Sequence, residues 1–382
     1  MKKSLMFAAI LAAGFMASCS NEDKSFDAGN NDADKTPILF TMNNGAVNVT
    51  TRGTGAVGDV AGSTNVWRSE KLYVSMFKKG TLDLAPDKEL PGGIIFSNTA
   101  ITAPASTAAA NSGVAEYEGY KYYPQTGNYD FFAYHVSDAA TDGEIAAASD
   151  KLDVTIDGSQ DLMVAKADMT AEQRAAFVAD PNVGEGKADR YYSAFSARKN
   201  VQPHFQFEHL LSRFVFIIDP QESAKDKVTI EAIKITNAKT KATMVVAYTE
   251  KPQQLLIAKE DSEDIVYLKE LVPGETEAYN LQTLTAKTYS ERTRVGESLL
   301  LMPQDEYKLE IVMSQETPEG IVYPFTYPYT LTPETAGTTA YEAGKQYNVT
   351  FKVYGIEEIK LDVTLTPWAD GGNINIDNND IN

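Results

Sequence analysis

The sequence predicts an all-β protein made of two β-sandwich domains in tandem. From residue 37 onward, short runs of alternating apolar and polar residues are separated by turns rich in Gly, Pro, Asn and Asp, a pattern typical of β-sandwiches. The chain has 382 residues, which is more than one hydrophobic core usually serves. A polar, loop-like stretch at 180–200 favours a domain boundary near residue 200.

Five parts are expected along the chain. They are a lipoprotein signal peptide at 1–18, a flexible tether at 19–36, an N-terminal β-sandwich at 37–200, a C-terminal β-sandwich at 201–368 and an acidic tail at 369–382. The tether is rich in Asn, Asp and Gly, so it is too polar to pack and should be disordered. The tail carries acidic residues and little apolar content, so it is expected to be solvated.

Strands are predicted wherever the alternation is clear. The predicted strands are 38–42, 72–77, 93–97, 129–135, 152–156, 214–218, 228–236, 243–248, 265–268, 298–302, 307–313, 321–329, 346–354 and 359–365. The last of them places four apolar residues on one face, so that face should be buried. One helix is predicted at 170–178, because good helix formers fill it and Asp180-Pro181 ends it.

The first residues have the order of a secretory signal. Lys2 and Lys3 precede an apolar run of about 11 residues, which is too short to span a bilayer. The run leads into Met16-Ala17-Ser18-Cys19, which resembles the lipobox of bacterial lipoproteins, where the cysteine becomes the lipidated first residue of the mature chain. We therefore expect Cys19 to carry the lipid that anchors the protein to the outer membrane. The alternative is a buried cysteine, and the acidic cluster after it fits either export to the cell surface or a solvated linker.

Composition argues against catalysis and against nucleic-acid binding. The formal net charge of −19 repels phosphate backbones. One cysteine and three histidines leave little for a metal cage or a histidine-based catalytic site. The motifs of serine hydrolases, P-loop proteins, zinc proteases and dithiol enzymes do not occur. No catalytic residue, metal site or cofactor is predicted, and the protein is not expected to be an enzyme.

Aromatic and histidine side chains each have two interpretations. Six tyrosines could form a platform for a glycan, or they could fill the sandwich core, which is the favoured interpretation. These tyrosines are Tyr117, Tyr120, Tyr122, Tyr123, Tyr129 and Tyr134. His135, His204 and His209 are expected to be structural, because His204 and His209 fall on opposite faces of any strand.

Several segments, in order, resemble the fimbrillins, the FimA- and Mfa-like subunits of type V pili. The segments are TRGT at 51–54, YYP at 122–124, YDFFAYH at 129–135, DLMVA at 161–165, FEHLLSRF at 207–214 and AGKQYNV at 343–349. Together they span the chain from about Ile38 to Trp368. The resemblance implies two transthyretin-like sandwiches, export as a lipoprotein, cleavage at an arginine and polymerisation with other pilin subunits by strand exchange.

Under this resemblance, cleavage falls between Arg52 and Gly53 and releases the strand at 38–42. A sandwich that loses an edge strand exposes unpaired backbone groups and an apolar groove, which a strand from a neighbouring subunit can fill. The released strand consists of Ile38, Leu39, Phe40, Thr41 and Met42. The candidate donors are two C-terminal strands, one with Tyr347, Val349, Phe351 and Val353 and the other with Ile359, Leu361, Val363 and Leu365. Donor and acceptor at different ends of a subunit give an open filament.

The expected function is therefore that of a stalk or tip subunit of fimbriae on the outer membrane and cell surface, which serves cell adhesion. The alternative is a monomeric surface lipoprotein of the same fold that binds a host protein or glycan, or a pilus anchor. The alternatives differ in whether residues 38–42 can be removed and whether a C-terminal strand can leave its own sheet.

Overall fold

A computed structural model describes most of the chain between residues 36 and 367. The described residues are 36–43, 70–79, 93–103, 112–115, 121–146, 149–169, 171–179, 192–198, 201–225, 227–273, 279–316, 320, 322–337, 339–355 and 358–367. Cys19, Arg52, Gly53, Tyr117 and Tyr120 lie outside them, as do the predicted signal peptide, nearly all of the tether and the acidic tail. Among the described residues, no helix is long and apolar enough to cross a bilayer.

Strands make up most of the regular secondary structure of the described chain, which confirms the predicted all-β class. The strands are β1 (Thr41–Asn43), β2 (Lys71–Lys78), β3 (Ile94–Thr102), β4 (Ser112–Val114), β5 (Tyr129–His135), β6 (Lys151–Thr155), β7 (Met163–Lys166), β8 (His204–Phe205), β9 (Glu208–His209), β10 (Ser212–Pro220), β11 (Val228–Lys239), β12 (Lys241–Val245), β13 (Leu256–Ala258), β14 (Glu263–Tyr267), β15 (Lys269–Pro273), β16 (Tyr279–Thr283), β17 (Lys287–Thr288), β18 (Thr293–Leu301), β19 (Tyr307–Glu316), β20 (Val322–Leu331), β21 (Lys345–Gly355) and β22 (Glu358–Pro367). The helices are α1 (Asp142–Ala146), α2 (Ala171–Val178) and α3 (Ala194–Ala197), with a 3-10 turn at Pro333–Ala336. The predicted helix at 170–178 corresponds to α2.

Two sheets enclose an apolar core in the C-terminal part of the chain. Their strand orders are β18-β10-β21-β22 and β14-β11-β19-β20. Phe214 and Phe216 of β10 are completely buried, and they share one core with Leu309 and Ile311 of β19 in the other sheet. Because inward residues of both sheets fill the same core, this part is a β-sandwich.

The five-stranded sheet β3-β2-β5-β7-β9 is buried on both faces. Leu72 and Val74 of β2 lie in a core that also contains Ile38 and Phe40. Tyr73, on the opposite face of β2, belongs to a different core, to which the sheet β13-β12-β6 contributes. Covering on both faces explains why β2 and β5 are buried at consecutive positions rather than at alternate ones.

The division into 37–200 and 201–368 stays a prediction. One core uses only residues between 38 and 207, and another only residues between 214 and 363. A third core draws on both sides of residue 200, and β6 pairs with β12 within it. Because β8 and β9 pair with β1 and β7, the sheets of the N-terminal part continue to His209 rather than ending at residue 200.

β20 and β22 end their respective sheets on the same side of the C-terminal sandwich. The Tyr327 hydroxyl of β20 donates to the Ile359 carbonyl of β22 at 3.1 Å, which joins the two edges. β20 carries Pro324 and Pro328 within its length, whereas β22 has proline only at its last residue. Proline in a sheet is confined to positions where no N–H is needed for pairing. The outer edge of β20 is therefore short of hydrogen-bond donors.

Four aromatic rings pack together at one end of the C-terminal core. Phe214 stacks on Tyr347 with ring centroids 5.3 Å apart, and Tyr341 lies edge-on to Tyr347 at 4.9 Å. Tyr307 contacts both Phe214 and Tyr341. Burial raises the pKa of Tyr347 to about 12, although the hydrogen bond that its hydroxyl accepts from the Glu342 N–H acts in the opposite direction.

We expect this buried phenol to make the protein sensitive to alkali. Because the folded-state pKa lies above the ordinary value of 10.0, Tyr347 contributes its full stability below pH 10 and loses it as the pH rises toward 12. The loss at pH 12 should be about 2 kcal/mol. Denaturant unfolding at a series of pH values should show a smaller alkaline loss of stability in Tyr347→Phe than in the wild type. Equal losses in the two proteins would contradict this prediction.

The candidate strand-exchange site

The segment at 36–43 lies in the middle of a sheet. β1 pairs antiparallel with β4 and parallel with β8, so Thr41 faces Val114 on one side and His204 on the other. The prediction that this segment is an edge strand is therefore wrong. Its neighbours β4 and β8 are three and two residues long, and strands this short leave no alternation in the sequence.

Backbone pairing of the segment begins before β1. The Ile38 N–H donates to the Lys121 carbonyl at 2.9 Å, and the Tyr123 N–H donates to the Thr36 carbonyl at 3.0 Å. The predicted strand at 38–42 is thus regular only from Thr41 onward. The residues before it pair with a different part of the chain, which is why the ladder is irregular.

Gln202, which precedes β8 in the chain, supplies hydrogen bonds to the part of the segment that precedes β1. Its Oε1 accepts from the Leu39 N–H at 3.2 Å, and its Nε2 donates to the Pro37 carbonyl at 3.3 Å. Gln173 in turn donates from Nε2 to the Gln202 carbonyl. A side-chain amide can replace a strand neighbour in this way because it carries both a donor and an acceptor. No periodic pattern marks Gln202 in the sequence.

Ile38 and Phe40 anchor the segment in the core. Both are 0% exposed, and the Phe40 ring lies 5.9 Å from the rings of Phe131 and Phe205. Burying two such side chains contributes roughly 3–6 kcal/mol in total. Without the segment, an apolar groove would run between β4 and β8 over the rings of Phe131 and Phe205.

The two candidate donor strands differ in how they are held. Tyr347, Val349, Phe351 and Val353 of β21 are all 0% exposed. β21 lies between β10 and β22, so its release would break two ladders. This position argues against β21 as a donor.

β22 is the more readily released strand, because it has one neighbour. It pairs with β21 from Lys345 opposite Pro367 to Gly355 opposite Glu358. Its inward residues Ile359, Leu361 and Val363 are 5%, 7% and 2% exposed, and Leu365 packs against the same core. β22 can therefore leave with only one ladder broken.

The tyrosines that could form a glycan platform, and the histidines, lie mostly in the core. Tyr123, Tyr129 and Tyr134 are buried, which confirms their structural interpretation, whereas Tyr122 is 37% exposed. His135 is also buried, with Nδ1 2.8 Å from the Lys71 carbonyl and Nε2 3.1 Å from the Ser137 hydroxyl.

His209 is buried together with Asp161, its Nδ1 lying 2.9 Å from Asp161 Oδ1. In the part of the chain that the structure describes, no group of three or more His, Cys, Asp or Glu side chains is placed to hold a metal ion.

This chain is similar to one protein family and to several solved structures. The fimbrillin-like family matches residues 54–368. Comparison with curated protein sequences finds no match. Among solved structures, a Bacteroides uniformis protein with a proposed role in cell adhesion is 15% identical with a TM-score of 0.46, and the alignment covers 87% of this chain and 98% of that one. A fimbrial protein from Bacteroides vulgatus is 12% identical with a TM-score of 0.41, covering 78% and 93%. The fimbrial anchor protein Mfa2 from Porphyromonas gingivalis is 11% identical with a TM-score of 0.34, covering 87% and 99%.

The family match includes all the strands from β2 to β22. It begins after the segment at 36–43 and ends one residue after β22. Since the match spans far more than half of the sequence, the chain belongs to the fimbrillin-like family.

Proposed function

We propose that this protein is a structural subunit of type V fimbriae that polymerises by strand exchange after its N-terminal segment is removed. The observation that carries the proposal is the segment at 36–43, which fills a groove between β4 and β8 with two fully buried side chains. Cleavage between Arg52 and Gly53 leaves this segment held only by noncovalent contacts. Once it leaves, unpaired backbone groups border an apolar groove on both sides.

An incoming strand must offer apolar side chains two residues apart, as Ile38 and Phe40 do. β22 has this spacing in Ile359, Leu361, Val363 and Leu365. Main-chain hydrogen bonds to both walls of the groove would give affinity, and the alternate side chains would fix the register. β22 therefore has both the extended backbone and the spacing of apolar side chains that the groove requires.

One polar atom of β22 also favours its release. Asp362 Oδ1 is buried without a hydrogen-bond partner among the described residues. A buried acceptor in this state costs about 1–3 kcal/mol. Release of β22 exposes this oxygen to water and removes that cost.

Export and anchoring complete the proposal. Lipidation of Cys19 would hold the precursor at the outer membrane until cleavage after Arg52 separates the body from its anchor. The body would then join other pilin subunits in a fimbrium at the cell surface and take part in adhesion to a host protein or glycan.

A pilus anchor is the second candidate. It is favoured by the continuous ladder between β21 and β22, which closes the C-terminal sandwich with residues of the chain itself. A subunit that keeps β22 in place donates no strand to a neighbour. Such a subunit would remain at the cell surface with Cys19 still attached.

Arg52→Ala tests the proposal. We expect cells that produce the wild type to carry filaments whose subunit begins at Gly53, and cells that produce Arg52→Ala to carry none. Electron microscopy with mass spectrometry of the detached material measures both. Arg292→Ala, which changes an exposed arginine of the C-terminal part, is the matched control and should leave the filaments intact. Filaments containing an uncleaved chain would overturn the proposal, whereas an intact lipidated chain without filaments would favour the anchor.

A further inference from the structure

An open cleft of about 730 Å³ lies beside β9. Its walls come from residues 206–210, 253–256, 302–303 and 343–344, together with Lys166, Asp168, Tyr248 and Lys251. None of these residues belongs to the segment at 36–43 or to β22, so the cleft is distinct from the strand-exchange site. Its volume falls in the usual range for sites that bind small ligands.

The charged side chains of the cleft are already paired with other groups of the protein. Lys251 Nζ lies 2.6 Å from Glu208 Oε1. Asp168 Oδ1 accepts from Arg174 Nη2 at 2.9 Å. The Lys166 ammonium lies 5.3 Å from the centroid of the Phe132 ring and 5.8 Å from that of Tyr248. The cleft is lined by two lysines and two acidic residues, so their formal charges cancel, although the whole chain carries a net charge of −19.

Besides His209, which is paired with Asp161, the cleft is lined by uncharged amide side chains. Gln206, Gln253 and Gln254 all line it with exposed side chains. Each amide offers two donor hydrogens and one acceptor oxygen. Half-buried Tyr248 adds aromatic surface to the same walls, whereas Phe207 is almost completely buried in the core.

We infer that this cleft binds a neutral saccharide. A sugar presents hydroxyl groups, which need donors and acceptors in similar numbers, and apolar C–H faces, which pack on aromatic rings. The three amides supply the hydrogen-bonding groups, and the Tyr248 ring supplies the apolar surface. An anionic ligand would have to take Lys251 from Glu208 or draw Lys166 from its two rings, so a neutral ligand fits the charge of the cleft better.

Binding of the purified full chain to an array of neutral oligosaccharides and their sialylated counterparts tests the inference. We expect binding to neutral members, and titration calorimetry with the best of them should show an affinity at least about ten-fold weaker in Gln206→Ala and Gln253→Ala. Gln282→Ala, an exposed glutamine on β16, should bind like the wild type.

Three results would overturn the inference. They are no binding to any neutral oligosaccharide at millimolar concentration, a preference for the sialylated forms, and equal affinity in the cleft variants and the wild type. Circular dichroism spectra that match the wild type would show that the variants are folded. Because the assay needs no filaments, failure of strand exchange would leave its outcome unchanged.

Discussion

Phe40→Ala should lower the free energy of unfolding of the uncleaved chain by about 3–5 kcal/mol. Phe40 is 0% exposed, and its ring contacts Phe131 of β5 and Phe205 of β8. These neighbours belong to two different sheets, so they cannot close together over the cavity that the substitution leaves. Chemical denaturation followed by circular dichroism measures the change.

Leu39→Ala is the matched control for Phe40→Ala. Leu39 is partly exposed and its backbone N–H is held by Gln202, so its truncation should cost much less. A synthetic peptide of residues 36–43 should also stabilise the chain that begins at Gly53, and the same peptide with alanine in place of Phe40 should not. Equal costs for the two substitutions, or no effect of the peptide, would contradict the role of the segment as a core-filling insert.

A disulfide that joins β22 to β21 should abolish filament formation. Asn348 and Thr364 are directly opposite each other in this antiparallel pair, and facing residues of such pairs have Cα separations that a disulfide can bridge. The chain from Gly53 onward contains no native cysteine, so Asn348→Cys with Thr364→Cys would form one defined crosslink. We expect monomers under oxidising conditions and filaments after reduction, by electron microscopy.

The same experiment decides where the donor strand lies. Lys308→Cys with Thr330→Cys places an equivalent crosslink between β19 and β20, and this control should leave assembly intact. Filaments formed by the oxidised Asn348→Cys, Thr364→Cys chain would show that β22 stays in place. The donor would then have to be a segment other than β22.

The long strands of the C-terminal sandwich could be predicted from the sequence because each has one buried face. The prediction at 228–236 corresponds to β11 and that at 359–365 to β22, with the observed strands a few residues longer. The prediction at 243–248 extends too far, since β12 ends at Val245, where its pairing with Lys151 of β6 ends. Alternation reports a buried face and does not report the length of the partner strand.

The groove could not be predicted, because its parts are far apart in the sequence. Leu39 and Gln202 are separated by 163 residues, and neither β4 nor β8 is long enough to show a period. The segment at 36–43 could be recognised as apolar and extended, but its central position depends on which strands flank it. The cleft beside β9 could not be predicted either. In the sequence, Gln206, Gln253 and Gln254 look like ordinary polar loop residues, and only the fold places them around one cleft.

Pro324 and Pro328 bear on how such subunits behave when many of them are crowded together. An open strand edge is a common starting point for amyloid-like association, and this risk grows with concentration. β20 would be such an edge, but its prolines interrupt the row of donors that another chain would need. Copies of the protein are therefore hindered from pairing side by side along β20, so high local concentration carries less risk of edge-to-edge association there.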